Sequence, residues 1–180
     1  LSKIIVVDKI KESTKKVCHL PVETAVSDGV SYLNKFFLQG RRADYVIPAV
    51  PSHLAFKFIL SQLEPLGGRR RKVPALSGLP NPMIGRTGDL YTSLANFICS
   101  EDCPEPVQYC TITKRRRLKP LYRILSELEG DFESKAIRSY QLTPVVGGFQ
   151  PKALLDLVEN IKRKKKSGRS ILVSTASRCH

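Results

Sequence analysis

Aromatic residues make up only 7% of the sequence, and no DNA- or RNA-reading motif accompanies its charge, which ranks base-reading nucleic-acid modules below other classes. No apolar run approaches the roughly 20 residues that a membrane-spanning helix requires. The first residues, Leu1-Ser2-Lys3-Ile4, carry neither the charged entry nor the cleavage site of an export signal. These absences predict a cytoplasmic protein with no membrane partner. No Ser/His/Asp ordering, paired-carboxylate motif or Walker loop is present, so the sequence carries no hydrolase signature. No internal repeat at a fixed period is visible either.

What is present begins with size and charge. The chain has 180 residues, 42% hydrophobic, with a mean hydropathy of −0.16, enough for one sizeable domain or a domain with a small appendage. Thirty basic residues against 16 acidic ones give a net charge of +14. Much of the excess lies in three runs: Arg69-Arg70-Arg71-Lys72, Lys114-Arg115-Arg116-Arg117 with Lys119, and Lys162-Arg163-Lys164-Lys165-Lys166 with Arg169. Such runs attract an anionic ligand or nucleic acid, or else they are solvated loops and a helix end where cations favour the dipole.

Periodicity predicts alternating strands and helices. Lys3 to Asp8 is a continuous β-branched run expected as a strand buried on both faces, and Val22, Val26, Val30, Leu33 and Phe37 predict a helix over 22–38 closed by Gly40. Residues 43–50 are the next expected strand. A helix follows from Pro51 and Ser52 to Leu63, and residues 74–88 form a long glycine- and proline-rich loop. A helix is expected over 89–99, a strand over 107–113 and a helix over 120–130. Residues 142–146 are read as a strand, Gly147-Gly148 as a tight turn, the stretch from Pro151 as a helix with its stripe on Leu154, Leu157, Val158 and Ile161, and 170–175 as a last buried strand. The expected fold is α/β: a mainly parallel, Rossmann-like sheet containing 3–7, 44–50, 142–146 and 170–175, helices on both faces, and a cysteine-containing insertion. Its expected parts are a Rossmann-like portion over 1–66, a loop-rich cysteine segment over 67–119 and a C-terminal portion over 120–180 completing the same sheet.

Three of five cysteines, Cys99, Cys103 and Cys110, fall within twelve positions with the spacing C-x3-C-x6-C, in a polar, proline-rich stretch where a thiol gains nothing from packing. An odd number of cysteines without an export signal argues for reduced thiols or metal ligands over disulfides. The spacing matches neither the paired C-x2-C of common zinc modules nor the ferredoxin runs. It points to zinc or an iron–sulfur cluster as a class, with packing residues as the alternative. Cys179, beyond the carboxyl end of the last strand, is the expected fourth ligand, with His180 or Cys18 as substitutes. Otherwise Cys18 reads as a small buried hydrophobe.

The run Ile4-Ile5-Val6-Val7-Asp8, followed a helix later by Asp44-Tyr45-Val46-Ile47-Pro48-Ala49-Val50-Pro51-Ser52-His53-Leu54, resembles the second and fourth strands of a Rossmann-type NAD(P)-binding domain. Saccharopine-dehydrogenase-like enzymes and the nucleotide-binding domains of potassium-transport regulators have this pattern. The resemblance covers about the first third of the chain. It implies that Asp8 binds the adenosine ribose and that Val50, Pro51, Ser52 and His53 lie beside the dinucleotide. The glycine-rich G-x-G-x-x-G turn is absent, because the chain begins at what would be the second strand, so a pyrophosphate would lack its helix N-terminus. The resemblance thus implies NAD(P) binding in a longer chain and weak or no binding by these 180 residues. Gly147-Gly148 is not that fingerprint.

Three functions follow as expectations. The first is a metal-binding α/β protein with a redox or accessory role. The second is an NAD(P)-dependent oxidoreductase or nucleotide-sensing domain, and the third a nucleic-acid module using the basic runs.

Overall fold

Two β-branched runs and one capped helix build the N-terminal part of the chain. The computed structural model describes residues 3–50, 52–164 and 168–180. Pro51, and Lys165 and Lys166 of the third basic run, lie outside the described residues. The chain divides into two compact units, Leu1–Arg42 and Ala43–His180.

In the first unit β1 (Ile5–Asp8) runs parallel to β2 (Glu23–Val26), with Ile5 opposite Glu23 and Asp8 opposite Val26. Between them lies the short helix α1 (Lys11–Lys15). The helix expected over 22–38 starts later than its apolar spacing indicated. Asp28 caps α2 (Gly29–Leu38), its Oδ1 accepting the N–H groups of Val30 at 3.0 Å and Ser31 at 3.1 Å, so residues 23–26 before the cap are free to extend as β2. Phe36 is buried, with the Phe37 ring edge-on at 5.4 Å and the Arg41 guanidinium 4.6 Å from its centroid.

The second unit begins with α3 (Leu54–Leu63), which ends in a 3-10 turn at Glu64–Leu66 and a left-handed Gly67 with φ +84°. A two-residue antiparallel pair follows, β3 (Met83–Ile84) with β4 (Leu90–Tyr91), then α4 (Leu121–Ser126). The main sheet has the order β6-β5-β7, from β5 (Phe132–Thr143), β6 (Val146–Phe149) and β7 (Ser170–Ala176), with α5 (Pro151–Arg163) joining β6 to β7. Strand β5 is antiparallel to β6 and parallel to β7, Phe132 facing Ser170 and Arg138 facing Ala176. Phe58, Leu121, Ile137, Phe149 and Leu154 are the largest fully buried side chains, and Leu79, Leu121, Leu125 and Ala176 form one apolar cluster that includes α4.

The Rossmann-like parallel sheet is therefore not the fold. Of the four segments expected in one sheet, 3–7 pairs only with β2 in the first unit, and 44–50 makes a single antiparallel bridge, Val46 to Phe149. Residues 142–146 form the corner between two antiparallel strands, turning through Pro144 and Val145, the latter at φ +56°. Only 170–175 lies parallel to a neighbour in the main sheet, and that neighbour, β5, is a strand the apolar pattern did not mark. Its twelve residues mix Glu133, Lys135 and Arg138 among apolar positions, so the periodicity is diluted. Gly147 and Gly148 lie within β6 and not in a turn. A Cβ on Gly148 would stand 3.0 Å from the Val46 carbonyl oxygen, so glycine there admits the 44–50 segment against the sheet. Residues 89–99 hold β4 and loop, because Leu90, Leu94 and Phe97 share a spacing without a cap or a helix-forming sequence between them.

Candidate metal centre

The cysteine segment has little regular secondary structure, and hydrogen bonds to side chains hold it in place. Cys99 precedes a tight turn in which the Cys103 N–H donates to the Ser100 carbonyl at 3.1 Å, and Ser100 Oγ donates to the Asp102 carboxylate. The turn is tied to the β5–β6 corner. Glu101 O accepts the Val145 N–H and the Gln141 side-chain amide, each at 3.2 Å. Cys103 is buried, its Sγ 3.2 Å from Thr111 Oγ1.

Cys110 sits in a hairpin in which Tyr109 bridges Arg116, the Cys110 N–H donates to Arg115 O at 2.9 Å, and the Arg117 N–H donates to Gln108 O at 2.8 Å. Its sulfur accepts the Thr113 N–H at 3.5 Å. The strand expected over 107–113 is thus the first arm of this hairpin and turns at Thr111.

The chain end returns to the same place. Glu105, held in the left-handed region at φ +45°, accepts Ser177 Oγ–H at 2.5 Å and the Arg178 N–H at 3.3 Å on its carboxylate, and its carbonyl accepts from the Arg178 guanidinium at 2.8 Å. The Cys179 carbonyl accepts the Leu94 N–H at 2.8 Å. Cys179 is only 3% exposed. His180 Nδ1 lies 2.9 Å from Ser93 Oγ.

Cys99 lies within electrostatic reach of Cys103 and Cys110. Its pKa is pushed up first by burial and then by the nearby Cys103 and Cys110 sulfurs, with the Arg117 guanidinium opposing. Cys179 is pushed up to about 12, chiefly by burial, with Arg117 opposing and Glu105, Cys99 and Cys103 adding to it. Cys110 is drawn down to about 7 by the Thr113 hydrogen bonds above all. All five cysteines are free thiols. Among the described residues no three His, Cys, Asp or Glu side chains stand close enough together to hold an ion as they are placed. Cys18 is exposed and belongs to the first unit.

The residues expected to meet a dinucleotide are divided between the units. Asp8, in the first, turns its carboxylate back on the chain, Oδ1 accepting the Ile10 N–H at 2.7 Å. Val50, Ser52 and His53 are in the second and line a cleft there, while Pro51 lies outside the described residues. His53 Nδ1 accepts the Phe56 N–H at 3.0 Å and so is the cap of α3. Burial lowers its pKa, with Asp89 opposing.

Sequence reasoning missed Glu105, Ser177 and Arg117. A lone acid between two prolines, Pro104-Glu105-Pro106, was the available signal for Glu105. Arg117 had none, because it closes a run of four cations whose members look alike in sequence. Its guanidinium turns inward to the Pro106 carbonyl at 2.7 Å.

No helix among the described residues is long and apolar enough to cross a membrane. No curated protein and no solved structure matches the chain. A family match spans seven-tenths of the chain, covering Cys99, Cys103, Cys110 and Cys179 and leaving the first unit outside it. The chain belongs to the AF_1314_C family, described as "Uncharacterized protein, C-terminal domain", which matches residues 55–180.

Proposed function

We propose that Cys99, Cys103, Cys110 and Cys179 are the ligands of one thiophilic metal centre, zinc or an iron–sulfur cluster, in an accessory or redox role. The observation that supports it best is the return of Cys179 to Cys99 and Cys103 through the Glu105 clasp, across more than seventy residues of sequence. Free thiols have no energetic reason to gather, because each raises the pKa of the next, whereas a cation repays their approach. Arg117 fits a supporting role, its charge acting on Cys99, Cys110 and Cys179 together. The Thr113 N–H directed at Cys110 is the kind of donor that steadies a ligating sulfur. When bound, zinc would fasten the loop, the hairpin and the chain end, and a cluster would in addition carry an electron. Closure on a single ion requires the thiols to rotate on their loops to about 2.3 Å from the metal.

Purification without oxygen, followed by metal analysis and an absorption spectrum, tests the proposal. The expected result is one zinc per chain, or a brown protein with iron and sulfide. Cys103→Ser and Cys179→Ser are each expected to lower the bound metal at least tenfold. Protein with neither metal, and with native-state thiols unchanged by added zinc or by cluster reconstitution, overturns it.

A further inference from the structure

Strand β7 reads as buried on both faces, yet Ile171, Leu172 and Val173 are only half-buried. They line a cleft of about 1610 Å³ in the second unit, together with Leu60 and Leu63 of α3 and Ile161 of α5. This volume exceeds the ~300–1,000 Å³ usual for small-ligand sites, so the cleft accommodates a long occupant. Residues of two basic runs almost a hundred positions apart line it, and the Arg71 guanidinium donates to Ser170 Oγ, next in sequence to Arg169, at 3.0 Å. Eight basic side chains line the cleft against four acidic ones.

The pairing of those charges matters more than their number. Asp89 engages Arg70, and Glu133 engages Lys135 and Lys164. Arg69 and Lys72 engage no partner among the described residues. Arg169 donates only to the neutral carbonyls of Gly130 and Phe132, at 3.0 and 3.3 Å, while Glu129 and Asp131 remain beside it as the opposing charges. An apolar floor open to water and two rim cations that no acid engages, Arg69 and Lys72, are both satisfied by one kind of molecule.

We propose that this cleft binds an amphipathic phosphate, a hydrocarbon body lying along α3, α5 and β7 with its phosphate held by Arg69, Arg71 and Lys72. A nucleic-acid strand fits less well. Such a strand needs several exposed rings for its bases, and of the lining phenylalanine and tyrosine rings only Tyr91 is exposed, at 46%, while Phe149 is buried at 1% exposure and Phe56 lies beneath the Arg70 guanidinium at 5.5 Å. The proposal goes beyond the metal centre and does not depend on it.

Calorimetric titration of the full chain with monomeric dodecyl phosphate, below its micelle concentration, is the test. One molecule is expected to bind per chain, at least tenfold more tightly than inorganic phosphate or uncharged dodecyl maltoside. Arg69→Glu with Lys72→Glu is expected to weaken it at least tenfold, with circular dichroism and metal content unchanged. Leu60→Gln, on the floor, should weaken it without affecting the weak binding of inorganic phosphate. Equal binding of dodecyl maltoside, or an unchanged affinity in the folded charge-reversal variant, overturns the proposal. So does association with anionic phospholipid vesicles but not with the monomer, or tighter binding of a single-stranded oligonucleotide that displaces dodecyl phosphate.

Discussion

His53 links a local hydrogen bond to a measurable pH dependence. As the cap of α3 it must present an unprotonated Nδ1 to the Phe56 N–H, so its working form is the neutral imidazole. Burial lowers its pKa in the folded chain, against the pull of Asp89. The unfolded chain, with an ordinary value near 6.5, therefore binds more protons than the folded one between the lowered value and 6.5. Stability from this residue is complete above about 6.5 and declines as pH falls through the folded value. His53→Asn keeps a capping oxygen and removes the titration. The expected result is a loss of stability between pH 7.5 and 5 that is smaller in the asparagine variant. His53→Ala should cost about 1 kcal/mol already at pH 7.5. Urea unfolding at the two pH values measures both, and an alanine variant as stable as wild type at pH 7.5 removes His53 from the cap.

At the scale of elements, the 103–106 loop is held by what it clasps. Glu105 occupies a left-handed conformation that costs a non-glycine residue of order 1 kcal/mol, offset by its bonds to Ser177 and Arg178. Glu105→Ala removes the carboxylate and should cost about 2 kcal/mol. It should also expose Cys179, so that a thiol reagent followed by peptide mass mapping labels this position at least tenfold faster than in wild type. Labelling at the wild-type rate would show that the chain end is held without Glu105. Beyond the lone acid between two prolines, the clasp was not legible in the sequence, because it joins residues more than seventy positions apart. The elements that were legible, α3, α5, β1 and β7, carry either an uninterrupted helical stripe or a short β-branched run. Among those missed, β2 sits directly before a helix whose spacing swallows it and β5 carries charges within the strand. The parallel sheet was inferred from the grammar of alternating elements, but pairing depends on which edges meet, and the Pro144-Val145 corner turned one expected strand into a hairpin. Of the proposed centre, the thiols were legible in the sequence, whereas Arg117, whose charge acts on three of them, had no motif.

At the scale of the molecule, the two units differ in how much core each contains. Among the described residues of the first unit only Thr14 and Phe36 are buried, while Ile4, Val26 and Leu38 are 56%, 55% and 89% exposed. A two-stranded sheet with so little covered surface is marginal, and a chain of about forty residues without disulfide or metal seldom folds alone. The second unit holds the main sheet, the α3 and α5 helices and the cluster of Leu79, Leu121, Leu125 and Ala176. Phe58, Phe149, Leu121, Ile137 and Leu154, the largest fully buried side chains, all belong to it. The expected outcome is asymmetric. A fragment of residues 43–180 should unfold cooperatively in urea with a midpoint close to that of the full chain, and residues 1–42 alone should show the circular dichroism of an unfolded chain. The family match, which begins at residue 55, is consistent with that division. If the 43–180 fragment lacks a cooperative transition, its apolar walls depend on the first 42 residues for stability, and the division into units does not describe how the chain folds.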